Sequence, residues 1–302
     1  MTVKTRTSFR WPGAMGMTLM LMGLLLGGPA HGDTPGPECG QFGPGGELPR
    51  LVDAKLQPRT TLLCNAGYAS LNSGLVHEPL WSAEHLTDED VDAAAGIGRV
   101  TTRFHADERL ADGDGSTLAD YRHSGYDRGH MTPSGDMPSV SAQEQTYSLA
   151  NVVPQTAALN EGVWTGVEMA VRDLARRDGE VYVVTGPAFH GSTRGIGNGV
   201  LVPTSTWKAI YDPQQQGTGV YVCKNLDRPS CAMVSVATLI RVVGIDPFPA
   251  LSDDLKATAM DLPHPQTSPY HPRRTTEGDA DQTTRRLLRA GARRLAHMFE
   301  ED

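Results

Sequence analysis

Apolar and polar residues alternate with different periods along this chain, and the changes of period predict its elements. Short apolar runs broken by turn residues between Leu62 and Trp81 favour a strand hairpin. Apolar side chains at helical spacing predict a long helix over 160–177, and the continuous β-branched run over 181–185 is typical of a buried strand. Further strands are predicted over 98–103, 200–211 and 219–223, a short helix over 141–149, and an apolar segment over 236–243.

The first 32 residues have the pattern of a secretory signal peptide. Lys4, Arg6 and Arg10 precede an apolar run over 17–26, and small residues follow at the expected cleavage offsets. This run is shorter than the roughly 20 residues that span a bilayer, which favours cleavage over a membrane anchor. We therefore expect an exported protein, periplasmic or secreted, with no membrane anchor after cleavage.

The remainder of the chain divides by composition into three parts. Residues 33–61 are rich in Gly and Pro and predict a surface segment, whereas residues 62–251 have the patterning of a globular domain. Residues 252–302 predict a disordered tail that ends in a basic amphipathic helix over 284–299. That helix has two interpretations: it contacts nucleic acid or a membrane, or it is solvated or packed on its own domain.

Charge limits the classes of function that fit the chain. The formal net charge is −8, and removal of the three positive charges in residues 1–32 changes it to −11. Such an acidic protein is not typical of a tight, static DNA-binding protein. A local basic cleft can still bind a polyanion that is later released, so the charge does not exclude nucleic acid as a substrate.

Four cysteines lie beyond the predicted cleavage point, and an even number in an exported chain favours two disulfides. Their spacing suggests Cys39–Cys64 and Cys223–Cys231, although four cysteines allow three connectivities. A zinc site is disfavoured because the sequence has no C-x-x-C pair.

Residues 127–131 place a carboxylate, a guanidinium, a glycine and an imidazole in one short element. On a strand, Arg128 and His130 share a face because side chains alternate. Hydrolysis of a phosphodiester needs a base that deprotonates water, and an imidazole, which titrates at about 6.5, suits this role at His130. Arg128 could bind a phosphate oxygen beside that water, and a hard divalent cation could stabilise the remaining charge.

Downstream, amide, carboxylate and basic side chains form a second candidate group. Asn160 and Glu168 are separated by about 12 Å along the predicted helix, so a water between them is needed if both serve one small ion. Mg²⁺ suits this arrangement, because it retains several waters and takes few protein ligands. Glu168 and Arg172 are helix neighbours at i, i+4, and we expect Glu168 to hold Arg172 toward a phosphate. The residues of this group are Asn151, Gln155, Asn160, Glu168 and Arg172.

These residues fall in two ordered motifs that carry a resemblance to a known family. The motifs are Asp127-Arg128-Gly129-His130 with Met131-x-Pro133 and Asp136, then Leu149-x-Asn151-x-x-Pro154-Gln155 with Asn160-x-x-x-Trp164-x-x-x-Glu168-x-x-x-Arg172. Arg103 with Asp107 and Leu110, Thr185-Gly186-Pro187 and Pro203-x-x-x-Trp207-Lys208 also fit. Over about residues 62–251 the sequence resembles the DNA/RNA non-specific endonucleases, which are ββα-metal (His-Me finger) nucleases related to endonuclease G.

The resemblance implies a fold and a role for each candidate residue. The expected fold is α+β, a ββα-metal nuclease core with a central, mostly antiparallel sheet flanked by helices. His130 would be the general base, Asn160 the direct metal ligand, and Glu168 a carboxylate that orients metal-bound water. Asn151 would orient His130 and Asp127 would be architectural. The residues expected to bind the substrate are Arg103, Arg128, Gln155 and Arg172.

The resemblance also implies a reaction. We expect an exported endonuclease that hydrolyses DNA and RNA without sequence specificity, depends on Mg²⁺ with Mn²⁺ as a substitute, and leaves 5′-phosphate ends. A homodimer and a protein inhibitor are further partners that this hypothesis allows. Two alternatives stay open: a non-catalytic exported nucleic-acid-binding protein, and a metal-dependent phosphodiesterase that acts on another substrate.

Overall fold

The computed structural model describes residues 37–98, 100–191, 194–266 and 268–269. The predicted signal peptide and the predicted basic helix over 284–299 lie outside these residues. Among the residues described, no helix is long and apolar enough to cross a membrane.

A seven-stranded sheet, antiparallel throughout, forms the centre of the described part of the chain. Its strands are β2 Thr60–Cys64, β3 Ala69–Ser73, β4 Glu78–Thr87, β7 Glu180–Ala188, β10 Ser205–Asp212, β11 Gly217–Lys224 and β12 Cys231–Val234. Their spatial order is β12-β11-β10-β7-β4-β3-β2. Three smaller pairs are β1 Arg50–Leu51 with β13 Ile245–Asp246, β5 Asp127–His130 with β6 Val152–Gln155, and β8 Gly195–Ile196 with β9 Val200–Leu201.

Helices flank this sheet, so the predicted α+β fold is confirmed. They are α1 Pro37–Gly40, α2 Asp88–Ile97, α3 Leu118–Tyr121, α4 Val140–Gln145, α5 Thr165–Asp178, α6 Val236–Val243 and α7 Asp253–Ala257. Short 3₁₀ helices are Pro44–Gly46, Ala54–Leu56, Ser134–Asp136 and Leu149–Asn151. A π-helical turn, Ala158–Trp164, leads directly into α5. The helix ends at Gly179, whose φ of 90° suits glycine.

The two faces of the sheet carry separate hydrophobic clusters, as the alternation along β10 shows. Trp207 and Ala209 belong to the cluster on one face, together with Phe248. Ile210 belongs to the cluster on the other face, which contains Val167 and other residues of α5. Helix α5 is therefore held on this second face by apolar burial, which is the main source of helix stability in a folded protein.

Several predicted elements are confirmed. The hairpin predicted between Leu62 and Trp81 corresponds to β2, β3 and the first half of β4. Both disulfides suggested by the spacing are present, Cys39–Cys64 and Cys223–Cys231.

Other predictions differ from the structure. The strand predicted over 98–103 is wrong, because the described residues of that segment form no strand. The strand predicted over 200–211 divides into β9 and β10 on either side of Pro203. The N-terminal segment is not only a surface segment, since Cys39 and Phe42 are buried in the main hydrophobic cluster.

The first part of the predicted disordered tail packs against the globular body. Helix α7 follows Leu251, Leu262 is buried in the cluster that contains α5, and Ser268 is 4% exposed. The prediction of disorder is wrong for this part of the tail. Pro and polar residues dominate its composition, but its few apolar side chains are sufficient to pack it against the domain.

Candidate active site

The DRGH residues form a strand that pairs with the strand after Asn151. Strand β5 runs antiparallel to β6, with Arg128 opposite Pro154 and His130 opposite Val152. The pair continues beyond β5, because the Met131 backbone N–H donates to the Asn151 carbonyl at 2.8 Å. The chain then enters the π-helical turn and α5, which completes a strand–strand–helix unit on one face of the sheet.

Gly129 is required by the close approach of Gln155. A Cβ atom at residue 129 would lie 2.0 Å from Gln155 Oε1. Gln155 is fully buried, and its Nε2 donates to Thr206 Oγ1 at 3.3 Å. The predicted substrate-binding role of Gln155 does not fit this position, because the side chain is buried and packs against Gly129 of β5.

A cleft of about 730 Å³ opens beside β5 and the start of α5. Five of the predicted site residues line it: Arg128, His130, Asn160, Glu168 and Arg172. Asp127 and Phe104 also line this cleft. Residues separated by more than 40 positions in the sequence therefore meet at one surface, which combines an imidazole, an amide, carboxylates and guanidinium groups.

Two aromatic rings surround the imidazole of His130. The Phe104 ring centroid lies 5.3 Å from that of His130, and the Tyr147 centroid lies 5.1 Å away in an edge-on orientation. The Arg128 guanidinium carbon lies 4.7 Å from the Phe104 centroid, a cation–π contact. Both side chains therefore pack against the same Phe104 ring, which restricts their rotation.

Asp127 holds the side chain of Asn160. Asn160 Nδ2 donates a hydrogen bond of 3.0 Å to Asp127 Oδ2. Because an ionised carboxylate only accepts hydrogen bonds, this contact directs the amide nitrogen at Asp127 and leaves the amide oxygen as an available ligand atom. The expected architectural role of Asp127 thus includes a direct contact that spacing along the sequence does not predict.

Arg172 is held by Asp136 and not, as expected, by Glu168. Arg172 Nη1 donates to Asp136 Oδ1 at 2.7 Å, and the Asp136 side chain is 1% exposed. Glu168 is a partly buried neighbour on the same helix face. Asp136 lies on the short helix after β5, so it can reach Arg172 across the cleft floor, a relationship that helix periodicity alone does not reveal.

Burial raises the pKa of Glu168 to about 7. The positive charges of Arg172 and Lys208 partly oppose this rise, and the charge of Asp136 adds to it. A carboxyl group with a pKa near neutrality in a cleft is typical of functional sites.

Lys208 and Glu84 form a buried pair that the sequence motifs do not assign. Lys208 Nζ lies 3.9 Å from Glu84 Oε1 and donates to Thr185 Oγ1 at 2.7 Å. It also donates to the Met131 carbonyl, next to His130, at 3.5 Å. Burial raises the pKa of Glu84, and nearby Asp136 raises it further. A lysine in the middle of an apolar strand was the signal that could have identified this pair.

Asn151 is buried and does not line the cleft. Its Oδ1 accepts from the Thr132 backbone N–H at 3.1 Å, and its Nδ2 donates to the carbonyls of Thr132 and Thr146, each at 2.9 Å. These bonds fix the chain two residues after His130. Asn151 therefore acts on the backbone that carries the imidazole.

Arg103 is exposed and lines a neighbouring groove, not the main cleft. Arg128 and Phe104 line both, so the two depressions adjoin. A substrate that extends beyond the cleft past Arg128 would meet Arg103 next.

The loop that carries Arg103 and Phe104 is anchored by Arg109. Two nitrogens of Arg109 bond to Asp107, at 2.8 and 2.6 Å, and Nη1 donates to the Cys64 carbonyl at 2.9 Å. Cys64 is the last residue of β2 and forms the disulfide with Cys39. The position of the loop thus depends on a strand end that is covalently tethered.

The sequence is similar to a family model and to known nucleases. Residues 51–254 match the sequence model of a family described as DNA/RNA non-specific endonuclease. Nuclease C1 of Cunninghamella echinulata var. echinulata is 35% identical over 153 residues, which cover 47% of this chain and 61% of that protein. Mitochondrial endonuclease G of Bos taurus is 33% identical over 179 residues, 55% of this chain and 59% of that protein.

The fold is also similar to a solved structure. In the crystal structure of the EndoG/EndoGI complex, a chain 28% identical in sequence superposes with a TM-score of 0.59. The match covers 64% of this chain and 88% of that one. The chain spans about three-fifths of the length of the two curated relatives named above.

Proposed function

This chain belongs to the DNA/RNA non-specific endonuclease family, and from that premise we propose that it is an exported, Mg²⁺-dependent endonuclease. It hydrolyses phosphodiester bonds of DNA and RNA without sequence specificity and leaves 5′-phosphate ends. The observation that supports this proposal best is the convergence of His130, Asn160 and Glu168 with three arginines in one cleft.

His130 is the proposed general base. Its imidazole lines the cleft between the rings of Phe104 and Tyr147, which leaves few rotamers available. A base held in one orientation can take the proton of a water that lies in line with the scissile bond. The proton would pass to an imidazole nitrogen as the water oxygen attacks phosphorus. The P–O3′ bond would break, and the 3′ oxygen would leave and take a proton from solvent, which gives a 5′-phosphate and a 3′-hydroxyl.

The donor groups beside His130 fit a hard divalent cation. The described residues contain no group of three or more His, Cys, Asp or Glu side chains that could hold a metal ion. The proposed site instead uses an amide oxygen and water. The amide oxygen of Asn160 is available for this, because its nitrogen is bonded to Asp127. Oxygen ligands with several waters suit Mg²⁺, and Mn²⁺ can take the same ligands.

In the proposed enzyme Asn160 would hold the cation, and Glu168 would orient water bound to it. When bound, the cation would neutralise charge on the phosphate and on the leaving oxygen. Asp127 keeps the amide of Asn160 in the orientation that a ligand needs. Asp136 keeps Arg172 at the cleft floor.

Arginine side chains would bind the phosphate backbone. Arg128 and Arg172 line the cleft, and Arg103 lies in the adjoining groove. They supply cationic groups in a chain whose formal net charge is −8, and Asp127, Glu161 and Glu168 line the same cleft. Contacts to phosphates carry no direct sequence information, which accounts for the lack of sequence specificity.

The decisive experiment incubates the purified protein with supercoiled plasmid, single-stranded RNA, a phospholipid and a phosphomonoester, each with Mg²⁺ or with EDTA. We expect plasmid and RNA to be cut only with Mg²⁺, and the cut DNA ends to be ligated without prior kinase treatment. Nucleic acid that is bound but never cut would favour the non-catalytic alternative. Cleavage of the lipid or monoester alone would favour a phosphodiesterase or phosphatase on another substrate.

Export is a separate part of the proposal. Two disulfides are compatible with an oxidising, extracytoplasmic compartment. Fractionation of the producing cells and N-terminal sequencing of the mature protein test it. An uncleaved protein found with its cysteines reduced in the cytoplasm would contradict it.

Oligomeric state and inhibition stay predictions. The similar solved structure is a complex of EndoG with EndoGI in which EndoG is inhibited. We propose that a protein inhibitor binds this chain too, and that the chain forms a homodimer. Light scattering of the purified protein tests the dimer, and affinity capture from the producing cells tests the inhibitor.

A further inference from the structure

The chain beyond α7 crosses the helix that carries Asn160. Residues 260–266 and 268, here named the C-terminal strap, lie beyond the family match, which ends at residue 254. The Met260 backbone N–H donates to the Thr218 carbonyl at 2.7 Å, and the Tyr221 hydroxyl donates to the Pro263 carbonyl. Leu262 is buried in the cluster that contains α5. The strap is therefore anchored on β11 before it reaches the helix.

At the helix, the strap bonds to two backbone carbonyls. The Gln266 backbone N–H donates to the Gly166 carbonyl at 3.0 Å. The Ser268 hydroxyl donates to the Glu161 carbonyl, and Ser268 is 4% exposed. The Gln266 side chain adds a bond to Asp173 on the same helix. Glu161 is the immediate neighbour of Asn160 and also lines the cleft.

The Glu161 carbonyl lies where the backbone of the turn is irregular. Gly162 has φ −98° and ψ −113°, which is not helical, inside the π-helical turn Ala158–Trp164. The Asn160 carbonyl accepts from Thr165 Oγ1 at 2.8 Å, and the next carbonyl accepts from Ser268. Hydrogen bonds from a side chain and from another segment therefore stabilise a turn whose own backbone bonding is irregular.

The approach of the strap to the helix leaves no room for a side chain. A Cβ atom at Gly166 would lie 2.1 Å from the Gln266 carbonyl oxygen. The position of a Cβ atom is fixed by the helix backbone and the oxygen belongs to the strap backbone, so neither atom can rotate away. Alanine at residue 166 favours a helix by its own propensity, so its effect here would arise from displacement of the strap.

We propose that the C-terminal strap is a positioning element that fixes the π-helical turn bearing Asn160, with Ser268 and Gln266 as its positioning residues. The strap acts on the backbone of the turn and touches neither substrate nor cation. Its effect on cation binding rests on the proposed function, in which Asn160 is the ligand. Its effect on the backbone of the turn is independent of the proposed function.

Two variants and one control test this in the full chain. Ser268→Ala removes the hydroxyl donor, and Gly166→Ala displaces the strap while every strap residue stays unchanged. His264→Ala changes an exposed strap residue and is the matched control. Hydrogen exchange of peptides that cover 158–166 is measured in EDTA, and Mn²⁺ binding is measured separately by electron paramagnetic resonance.

We expect exchange in this turn to be faster by about tenfold in both variants, since Ser268→Ala removes a hydrogen bond to the turn and Gly166→Ala displaces the strap that donates it. The Mn²⁺ dissociation constant should rise by about three- to tenfold in both, as expected for a shift of that size in the ligand-competent population. His264→Ala should behave as wild type in both measurements.

Unchanged exchange in both variants, or equal changes in His264→Ala, would overturn the proposal. Unchanged Mn²⁺ affinity in the variants of a protein whose wild-type form binds Mn²⁺ would also overturn it. If the wild-type protein binds no Mn²⁺ but exchange responds to the two substitutions, the role of the strap in fixing the turn is supported and the metal part of the proposed function is wrong.

Discussion

Asn160 and Asp127 are joined by a hydrogen bond of 3.0 Å between the amide nitrogen of one and Oδ2 of the other. The bond connects the first residue of β5 with the π-helical turn before α5. The strand that carries the proposed base and the turn that carries the proposed ligand are therefore aligned through one side-chain contact. A change at Asp127 should affect cation binding although this carboxylate is not itself the proposed ligand.

The first prediction concerns this contact. Asp127→Ala should lower the rate at limiting Mg²⁺ by about 10- to 100-fold, since partners that orient a metal ligand typically contribute that much. Asp127→Asn should lose less, because its amide oxygen can still accept from Asn160. Initial rates on plasmid over a Mg²⁺ titration measure both effects.

Asp112→Ala, at an exposed loop position, is the control for that series. Asn160→Ala gives the decrease in rate that is expected when the proposed metal ligand is removed completely. A rate for Asp127→Ala equal to that of the control at every Mg²⁺ concentration would show that the contact has no part in cation binding.

The second prediction concerns the base. His130→Ala should lower kcat by about 10²- to 10⁴-fold, the usual contribution of a positioned general base. Stability should change little, because the imidazole faces the cleft. Steady-state kinetics and the midpoint of thermal unfolding measure the two quantities. His190→Ala, an exposed histidine, is the comparison; equal rates for the two variants would remove the mechanistic role of His130.

The third prediction concerns the pH dependence of stability. Burial raises the pKa of Glu168 to about 7 from a model-compound value of 4.5. The folded protein then holds a proton that the unfolded chain has lost, so this carboxyl destabilises the fold progressively as pH rises from about 5 to 8. Above the folded pKa the loss is complete, and below the unfolded pKa it is absent.

Glu168→Gln removes this titration. In EDTA, the free energy of unfolding of Glu168→Gln relative to wild type should increase by roughly 2 to 3 kcal/mol between pH 5 and pH 8. Urea unfolding at several pH values measures it, with Glu144→Gln at an exposed position as control. A difference between variant and wild type that is constant with pH would contradict the burial effect.

The fourth prediction concerns the close packing of Gly129 against Gln155. Gly129→Ala would bring a Cβ atom to 2.0 Å from Gln155 Oε1, and it should lower the free energy of unfolding by about 1–3 kcal/mol, a typical cost of overpacking. Gln155→Ala in the same chain should recover part of that loss. Urea denaturation of the two single variants and the double variant measures the coupling; additive losses would show that the two residues do not compete for space.

Local pattern was sufficient for those parts of the site that lie within one element. Arg128 and His130 are on a strand, as their alternation predicts, and both line the cleft. Asn160 lies in the π-helical turn and Glu168 in α5, and both fall within the helix that the apolar spacing predicts over 160–177. Such features follow from the period of a strand or helix and need no knowledge of the tertiary fold.

Contacts between distant segments could not be obtained in this way. The sequence places Glu168 one helical turn before Arg172, yet the fold brings Asp136 to the guanidinium from another element. The break at Gly162 has no clear local signal, because glycine inside a helical pattern is compatible with an intact helix. The sequence predicts disorder for the strap, whereas its order depends on contacts with β11 and α5 that no local pattern encodes.

The Cys39–Cys64 disulfide links the position of the loop that carries Arg103 to the redox conditions under which the chain folds. The carbonyl of Cys64 accepts from Arg109, and Arg109 anchors the loop of Arg103 and Phe104. A chain folded among reducing thiols lacks the covalent tether of this strand end. Recombinant material is therefore best produced under oxidising conditions, and titration of free thiols in each preparation should precede any comparison of activities.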